Sequence, residues 1–295
     1  MQNSKHHATI ILSDIHLGKD VCRADMLLEF LSYNTCDTLI LNGDILDGWA
    51  IRRRGAHQLP ELQKRVLDLL NARIAAGTRV VMLPGNHDAE LRRADILDHS
   101  HFGMLFTDTY VHTDSKGCRF VVLHGDQFDP PLLQDKRAGI LSHIGDTVYD
   151  GLIALNVLIN KVTYDIFGWR VHLSAYLKHK SKKLIRYMGG FAHKVDQIAH
   201  THNVTGMFCG HIHYAEWAQY RGITYGNSGD WVEGCTALCE DADGAWQIVR
   251  WFKDRKHYGL SGLATIPDVL GEQDYRDVTE AQLKKINALW PYTGE

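Results

Sequence analysis

Five short blocks of acidic and histidine residues recur along the chain, and their side chains could together hold metal ions. The blocks are Ser13-Asp14-Ile15-His16, Gly43-Asp44, Gly85-Asn86-His87-Asp88, His124-Gly125-Asp126 and Gly210-His211-Ile212-His213. Carboxylates, an amide and imidazoles, with no cysteine among them, suit a hard or borderline divalent ion such as Mn, Fe, Zn or Mg. The blocks therefore predict a metal site of this kind and do not indicate a structural zinc finger.

The number of candidate ligands indicates two metal ions rather than one. The predicted ligands are Asp14, His16, Asp44, Asn86, His124, His211 and His213. One tetrahedral ion with a position open for substrate needs only three protein ligands. Two ions about 3.5 to 4 Å apart can instead clamp the attacking and leaving oxygens of a phosphoryl group. A carboxylate shared by both ions would set that separation, and Asp44 is the predicted bridge.

The blocks also follow a pattern of secondary structure. Asp14 and His16 are two residues apart, as are His211 and His213, and extended backbone would turn both members of each pair to one face. Each block follows an apolar, largely β-branched run that predicts a buried strand. These runs are residues 9–12, 38–41, 79–83, 119–123 and 205–209. Because ligands of an open α/β sheet bind beyond the carboxyl ends of its strands, the five blocks are expected to converge there.

The remaining periodicity predicts an α/β fold with two sheets. Apolar positions at helical spacing in residues 22–33 and 59–76 predict crossover helices, so the first part of the chain is expected to be βαβαβ. Short strands after His213, at residues 216–220, 224–225, 236–240 and 245–251, predict a second sheet. The predicted core is residues 1–126 with 203–253, and the sequence assigns no role to the tail, residues 254–295.

The order of the blocks resembles the calcineurin-like metallophosphoesterase family. Its pattern D-x-H, G-D, G-N-H-[DE], H-G and G-H-x-H is matched in full and in order, whereas a single block could arise by chance among 18 histidines. The resemblance implies a two-sheet αββα sandwich and in-line attack on phosphorus, with His87 stabilising the transferring group or protonating the leaving oxygen. Asp88 would orient the His87 imidazole. By the same resemblance, one ion is held by Asp14, His16, Asp44 and His213, and the other by Asp44, Asn86, His124 and His211.

A long segment, residues 127–202, separates the last two blocks and is predicted to be a helical insertion. Residues 147–162 are nearly all apolar, and residues 151–194 carry eight Lys and Arg against one acid, so this part is +7 and the remainder is −3 − 7 = −10. Such a segment would suit a lid over an anionic, lipid-like substrate or an element that docks on a membrane surface. An ordinary helical hairpin with a solvated basic face fits the pattern equally well.

The insertion, together with Asp-Ile-His-Leu-Gly at residues 14–18, is similar to the branch of this family that acts on UDP-2,3-diacylglucosamine in lipid A biosynthesis. That similarity implies a Mn-dependent pyrophosphatase that releases lipid X and UMP at the inner face of a bacterial inner membrane, with acyl chains held by the lid. Candidate substrate contacts are Arg52, Arg53, Lys178, Ser181 and Lys182, although an ordinary surface run explains the arginines equally well. The chain departs from the branch at His87, where arginine is usual, and imidazole and guanidinium grip phosphate differently.

Two other functions compete with this interpretation. A soluble phosphodiesterase or phosphomonoesterase for nucleotides or other small phosphate esters would use the same metal site, with the insertion as a structural cap. A scaffold without turnover would show a degenerate site, and the complete set of ligands argues against it.

Composition sets the remaining expectations. With 295 residues and 45% hydrophobic content the chain can form one large core, and a net charge of −3 gives no signal for a nucleic-acid partner. Six cysteines without a C-x-x-C pair favour a reducing compartment. No signal-peptide pattern and no uncharged apolar stretch of about 20 residues is found. A cytoplasmic protein, in peripheral contact with the inner membrane, is therefore expected.

Overall fold

The computed structural model describes residues 4–93, 95–96, 100–129, 190–264 and 276–293. The chain divides into two compact units, one formed by residues 1–126 with 198–295 and the other by residues 127–197. Most of the predicted helical lid lies outside the described residues, and so do the candidate substrate contacts Lys178, Ser181 and Lys182.

Seven strands form the first sheet. They are β1 (Lys5–Leu12), β2 (Asn34–Asn42), β3 (Arg79–Leu83), β4 (Ser100–His101), β5 (Met104–Phe106), β11 (Thr236–Glu240) and β12 (Trp246–Arg250). Their order across the sheet is β12-β11-β1-β2-β3-β5-β4. β1, β2, β3 and β5 run parallel to one another, whereas β11 is antiparallel to β1. Central parallel strands are covered on both faces, which explains why residues 38–41 and 79–83 are continuous apolar runs.

Five strands form the second sheet. They are β6 (Tyr110–Thr113), β7 (Arg119–Val122), β8 (Gly206–Cys209), β9 (Glu216–Tyr220) and β10 (Ile223–Asn227), in the order β6-β7-β8-β10-β9. The predicted two-sheet α/β class is thereby confirmed. The assignment of strands differs from the prediction, because the strands after His213 divide between the sheets and β11 and β12 join the first. Alternation of apolar residues sets which face of a strand is buried, but it does not select the neighbouring strand.

Apolar side chains from both sheets form a common cluster. Ile11, Ile40 and Val81 of the first sheet contact Phe120 and Phe208 of the second. The two phenylalanine rings stack with centroids 4.5 Å apart. On β1 the neighbours of Ile11 point the opposite way, into a larger core beneath the helices, as the two-residue period of a strand requires.

The structure describes six α-helices. They are α1 (Ala24–Tyr33), α2 (Gly48–Arg54), α3 (Glu61–Ala75), α4 (Phe191–His202), α5 (Trp251–Asp254) and α6 (Arg276–Leu289). All except α4 contribute buried side chains to the core on the outer face of the first sheet. α1 and α3 are the two predicted crossover helices. The unpredicted α2 begins after Asp47, whose side chain accepts a hydrogen bond of 2.8 Å from Ala50 N, and it ends at Arg54, just before Gly55. Within the described ranges, no helix is long and apolar enough to cross a bilayer.

The C-terminal tail, to which the sequence assigned no role, contributes to the core. On α6 and just after it, Leu283, Ile286 and Trp290 are buried at helical spacing. Trp290 packs against Gly48, where an added Cβ would lie 2.1 Å from Trp290 Nε1. Thr293 N donates a hydrogen bond of 2.9 Å to Arg52 O. The C-terminal tail therefore packs against α2 and stabilises its position.

Candidate metal centre

All five blocks lie just beyond the carboxyl ends of strands, as predicted, but these strands belong to both sheets. In the first sheet, Asp14 and His16 follow β1, Asp44 follows β2 and Asn86 follows β3. The second sheet supplies the other three predicted ligands, His124 after β7 with His211 and His213 after β8. The site therefore lies where loops of the two sheets meet.

Five of the seven predicted ligands have a left-handed backbone conformation. Their φ angles are 53° for Asp14, 55° for His16, 53° for Asp44, 67° for His211 and 52° for His213. Residues other than glycine rarely adopt this conformation, and it is often found at functional sites. The prediction that extended backbone aligns the paired ligands is wrong, because sharp turns do so instead. Backbone hydrogen bonds hold these turns, among them His16 N to Asp44 O at 2.9 Å.

Asp14, His16, Asp44 and His213 form a first group of candidate ligands. The Nε2 atoms of His16 and His213 lie 3.3 Å apart, and His213 Nε2 lies 3.2 Å from Asp14 Oδ1. His16 Nε2 is 3.9 Å from Asp44 Oδ2. Ligand atoms about 2.0 to 2.2 Å from one ion lie at most roughly 4.4 Å from each other. These four side chains are therefore close enough to share a cation.

Asp44, Asn86, His124 and His211 form a second group. His124 Nε2 lies 3.4 Å from Asp44 Oδ2, and ligand atoms of Asp44, His124 and His211 all lie within 4.8 Å of one another. Asn86 Oδ1 is buried and accepts no hydrogen bond from any residue that the structure describes. Because an unsatisfied buried acceptor costs free energy, a cation is the partner that this oxygen fits.

Hydrogen bonds behind the ligands orient their rings. His124 Nδ1 donates to Asn42 O at 2.9 Å, and His16 Nδ1 lies 3.2 Å from Asp47 Oδ2. Each contact leaves Nε2 as the nitrogen that faces the site. Gly43 allows the close approach of the His124 ring, since an added Cβ there would lie 2.2 Å from its Nδ1. The donors therefore fit two divalent cations, with a set of atoms that suits Mn, Fe, Zn or Mg.

Opposite charges lie close together in the site. Burial disfavours the charge of Asp44, but His124 and His87 outweigh it and hold the pKa of Asp44 well below its usual value. Burial likewise opposes the charge of His124, but Asp44 raises the pKa of His124 to about 10. At Asp14 burial is the larger effect and raises the pKa of its carboxyl group. Cation binding requires neutral imidazoles and will therefore release protons.

His87 is oriented by Asp47, which corrects the prediction that Asp88 does so. His87 Nδ1 lies 2.9 Å from Asp47 Oδ2, and the ring packs against those of His16 and Trp49. Burial disfavours the imidazolium, but Asp44 and Asp47 outweigh it and raise the pKa of His87 to about 9. A ring nitrogen of His87 lies within 4.8 Å of ligand atoms of His16 and Asp44. The imidazolium can therefore donate a proton to a group bound there.

Asp88 instead holds two ligand loops together through the backbone. Its carboxylate accepts hydrogen bonds from Gly85 N at 2.5 Å, Asp44 N at 3.2 Å, Ile45 N at 2.9 Å and Leu46 N at 3.2 Å. Burial and the charge of Asp44 raise the pKa of Asp88 to about 6. Asp88 is therefore a positioning residue for the loops of Asp44 and Asn86.

Sequence reasoning missed Asp47, which lies three residues after Asp44. Its carboxylate is fully buried and also lies 3.5 Å from Lys19 Nζ. Burial opposes its charge, but hydrogen bonds from His16 and His87 hold the pKa of Asp47 well below its usual value. The available signal was a second acid directly after the Gly-Asp block, at the start of a short helix.

Sequence reasoning also missed a sixth loop, which begins at Asn227, the last residue of β10, and runs to residue 231. Asn227 Nδ2 donates to Gly210 O at 2.7 Å, the Oγ atoms of Ser13 and Ser228 are 2.6 Å apart, and Trp231 N donates to Asp14 O at 3.0 Å. This loop thereby joins the first and last blocks. Its signal was a polar run, Asn-Ser-Gly-Asp, at a strand end.

The candidate substrate contacts on α2 have different environments. Arg52 forms an ion pair with Glu90, and its side chain is 37% exposed. Arg53 is exposed. These environments do not test whether Arg52 or Arg53 contacts substrate, so that role stays a prediction for both residues.

Comparison with known proteins agrees with the geometry. The family model for calcineurin-like phosphoesterases matches residues 8–215, which is more than half of the chain and contains all five blocks. The UDP-2,3-diacylglucosamine hydrolase of Chromohalobacter salexigens is 33% identical over 85 residues, and the match covers 27% of this chain. It spans 32% of the length of that relative.

Three similar solved structures are distant in sequence. A hypothetical protein of Pyrococcus horikoshii has a TM-score of 0.42 and 9% identity, with 99% of each chain covered. An archaeal phosphodiesterase has a TM-score of 0.38 and 12% identity, covering 82% of this chain and 98% of its own. Zinc-bound Vps29 of Entamoeba histolytica has a TM-score of 0.35 and 12% identity, covering 82% and 97%.

Proposed function

Since this chain belongs to the calcineurin-like phosphoesterase family, we propose that it hydrolyses a nucleotide-linked lipid. The chain is a metal-dependent phosphoester hydrolase. The proposed substrate is UDP-2,3-diacylglucosamine or a closely related molecule, which would be cleaved at its pyrophosphate to lipid X and UMP. The proposed cofactor is a pair of Mn ions.

One observation carries the proposed metal-dependent hydrolysis, namely the position of Asp44 Oδ2 between two groups of ligand atoms. It lies 3.9 Å from His16 Nε2 in the first group and 3.4 Å from His124 Nε2 in the second. Two cations bound there would polarise a phosphoryl oxygen and supply a nucleophile at neutral pH. In this arrangement Asp44 is the shared ligand. Asp14, His16 and His213 complete one set, and Asn86, His124 and His211 complete the other.

His87 is the proposed proton donor for the leaving group. The charges of Asp44 and Asp47 raise the pKa of His87 to about 9 and so favour its protonated form at neutral pH. Asp47 Oδ2 lies 2.9 Å from Nδ1 of His87. This contact leaves Nε2 of His87 as the nitrogen available to bound substrate. Trp49 and His16 pack on the ring and limit its rotation. A positioned acid of this kind accelerates bond cleavage by about 10² to 10⁴.

Sequence similarity and charge support a lipid-linked substrate. The relative from Chromohalobacter salexigens, matched over part of its length, is named a UDP-2,3-diacylglucosamine hydrolase. Residues 151–194 carry a charge of +7, which would complement a pyrophosphate and an anionic membrane surface. Lys178, Ser181 and Lys182 are the proposed phosphate contacts in this segment. Such a substrate implies that the enzyme is cytoplasmic and in peripheral contact with the inner membrane.

His87 favours a second candidate function. Imidazole at this position is the form found across the wider family, whereas the branch that acts on UDP-2,3-diacylglucosamine usually has arginine. A phosphodiesterase for nucleotides or other small phosphate esters would use the same site without an acyl-binding lid. Both candidates share the metal centre and differ only in the substrate.

The two candidates are separated by a substrate screen of the Mn-loaded protein. We expect release of UMP from UDP-2,3-diacylglucosamine, measured by ³¹P NMR, at a kcat/KM at least 100-fold above that for bis-p-nitrophenyl phosphate or cyclic nucleotides. Such a ratio corresponds to about 2.7 kcal/mol of preferential transition-state binding. Efficient cleavage of the small esters with no release of UMP would favour the second candidate. An Asp44→Ala variant controls for contaminating hydrolases.

A further inference from the structure

Arg92 lies at the end of the 3₁₀ turn Ala89–Arg92, directly after the Asn86 block, and its side chain folds back onto that block. Nη1 donates to Gly85 O and Nη2 donates to Pro84 O, each at 3.1 Å. These carbonyls belong to the two residues that immediately precede Asn86. The guanidinium therefore fixes the backbone from which the Asn86 side chain extends.

The same guanidinium also contacts the loop that carries His124. Nη2 lies 3.0 Å from an oxygen of Asp126, two residues beyond His124, and Nε donates to Asp108 at 2.8 Å. Burial opposes the charge of Arg92, but Asp126 and Asp108 outweigh it and raise the pKa of Arg92 above its usual value. The planar guanidinium of an arginine can donate hydrogen bonds to several acceptors at once in a fixed geometry, whereas the ammonium group of a lysine cannot.

We propose that Arg92 positions the second group of metal ligands by tying the Asn86 loop to the His124 loop. The inference rests on the proposed function, because it assigns Arg92 to one of the two proposed cation sites. Arg92 itself contributes no ligand atom. It acts through the placement of Asn86 and His124.

Close packing of the Asn86 loop makes this placement sensitive to small shifts. An added Cβ at Gly85 would lie 2.2 Å from Asp44 Oδ1 and 2.7 Å from His124 Nε2. The backbone at Gly85 therefore passes directly against two ligands of the second group. Asn86 Oδ1 accepts no hydrogen bond from the part of the chain that the structure describes, so its position depends on this backbone. Loss of the Arg92 bridge would change the distances between the ligands.

The first group of ligands depends on other contacts. Asp14 and His16 are held by backbone hydrogen bonds to Gly43 and Asp44, and Trp231 N donates to Asp14 O. His211 N donates to Asp14 Oδ2 at 2.9 Å. Arg92 takes part in none of these interactions. Its removal should therefore weaken one cation site and spare the other.

The test is a titration of Arg92→Gln with Mn by calorimetry, with metal content per chain measured after dialysis. We expect one ion bound as in the wild type and the second bound about 10 to 100-fold more weakly, the usual effect of removing a contact behind a metal ligand. Arg92→Lys should retain only part of the second affinity. Asp126→Asn, which removes the ion pair from the other side of the bridge but keeps a hydrogen-bond acceptor, should reproduce part of the weakening.

Arg93→Gln is the matched control, because the exposed neighbouring arginine pairs only with Asp95 among the described residues, at 3.0 Å. It should bind both ions as the wild type does. Circular dichroism and thermal unfolding show whether each variant is folded. Wild-type affinity for both ions in Arg92→Gln and Asp126→Asn would overturn the proposal, as would equal weakening of both sites. Failure of the wild type itself to bind two ions would instead contradict the proposed function.

Discussion

Asp47 Oδ2 lies 2.9 Å from His87 Nδ1, and this contact rather than one with Asp88 orients the proposed general acid. Asp47 also forms the N-cap of α2, whose first residue, Gly48, packs against Trp290. The orientation of His87 therefore depends on a short helix and on the C-terminal tail that supports it.

Replacement of Asp47 should impair catalysis through His87. We expect Asp47→Asn to lower kcat by about 10 to 100-fold at saturating Mn, less than the roughly 10² to 10⁴ that loss of the acid itself would cost, because His87 remains present. Because Asp47 raises the pKa of His87, its loss should also move the basic limb of the pH profile of kcat to lower pH. If Asp47 acts through His87, Asp47→Asn combined with His87→Gln should lose no more activity than His87→Gln alone. Additive losses would contradict this relationship.

Removal of Asp44 should affect both cation sites, because its Oδ2 atom faces both groups of ligands. We expect Asp44→Ala to retain less than one Mn per chain after dialysis, whereas Asn86→Ala should retain one. Inductively coupled plasma mass spectrometry gives the stoichiometry. Asp20→Ala is a suitable control, since Asp20 is exposed and pairs with Arg54, which is not a candidate ligand. Retention of two ions by Asp44→Ala would refute the bridge.

Breaking a buried ion pair should destabilise the fold. Arg255 Nη2 and Glu29 Oε2 are 2.6 Å apart, their side chains are 6% and 0% exposed, and Trp251 Nε1 also donates to Glu29. Arg255→Met would leave the Glu29 carboxylate buried without its partner, which should lower the free energy of unfolding by about 3 to 5 kcal/mol. Urea denaturation measures the change. The neighbouring exposed residue gives the control Lys256→Met, which should change stability by about 0.5 kcal/mol or less.

Glu240 should make stability depend on pH in the acid range. Burial opposes its charge, but His112 at 3.3 Å and the N–H of Ser115 at 2.6 Å outweigh it and lower the pKa of Glu240 from 4.5 to about 2. Since the folded state holds the lower pKa, the contribution is complete above pH 4.5 and is lost as pH falls towards 2. Its size is roughly 3 kcal/mol at most.

Urea denaturation between pH 2 and 5 tests this contribution. Glu240→Gln should flatten the fall in stability across that window, whereas Glu280→Gln, at an exposed position of α6, should leave it as in the wild type. An unchanged slope in Glu240→Gln would show that other groups cause the loss in acid.

The sequence alone determined the strands and the ligand types. Residues 79–83 and 236–240 are predicted at the bounds that β3 and β11 have, because their continuous apolar residues are buried. Residues 216–220 are likewise predicted at the bounds of β9, although none of the β9 residues is buried. The seven candidate ligands were identifiable because each follows such a strand. Amphipathic spacing at Leu283, Ile286 and Trp290 was also present in the sequence and would have predicted α6.

Only the tertiary structure decided which residues support the ligands. Asp88 belongs to the third block and Asp47 follows the second. Their roles differ because the carboxylate of Asp47 lies beside an imidazole, whereas that of Asp88 accepts hydrogen bonds from backbone N–H groups. Arg92 and Asp126 are 34 residues apart, yet they form an ion pair, as do Glu29 and Arg255 across 226 residues. Local periodicity reports burial, but it holds no information on which distant groups will meet. The left-handed turns at Asp14 and His211 were invisible for the same reason, since contacts between loops of different strands hold them.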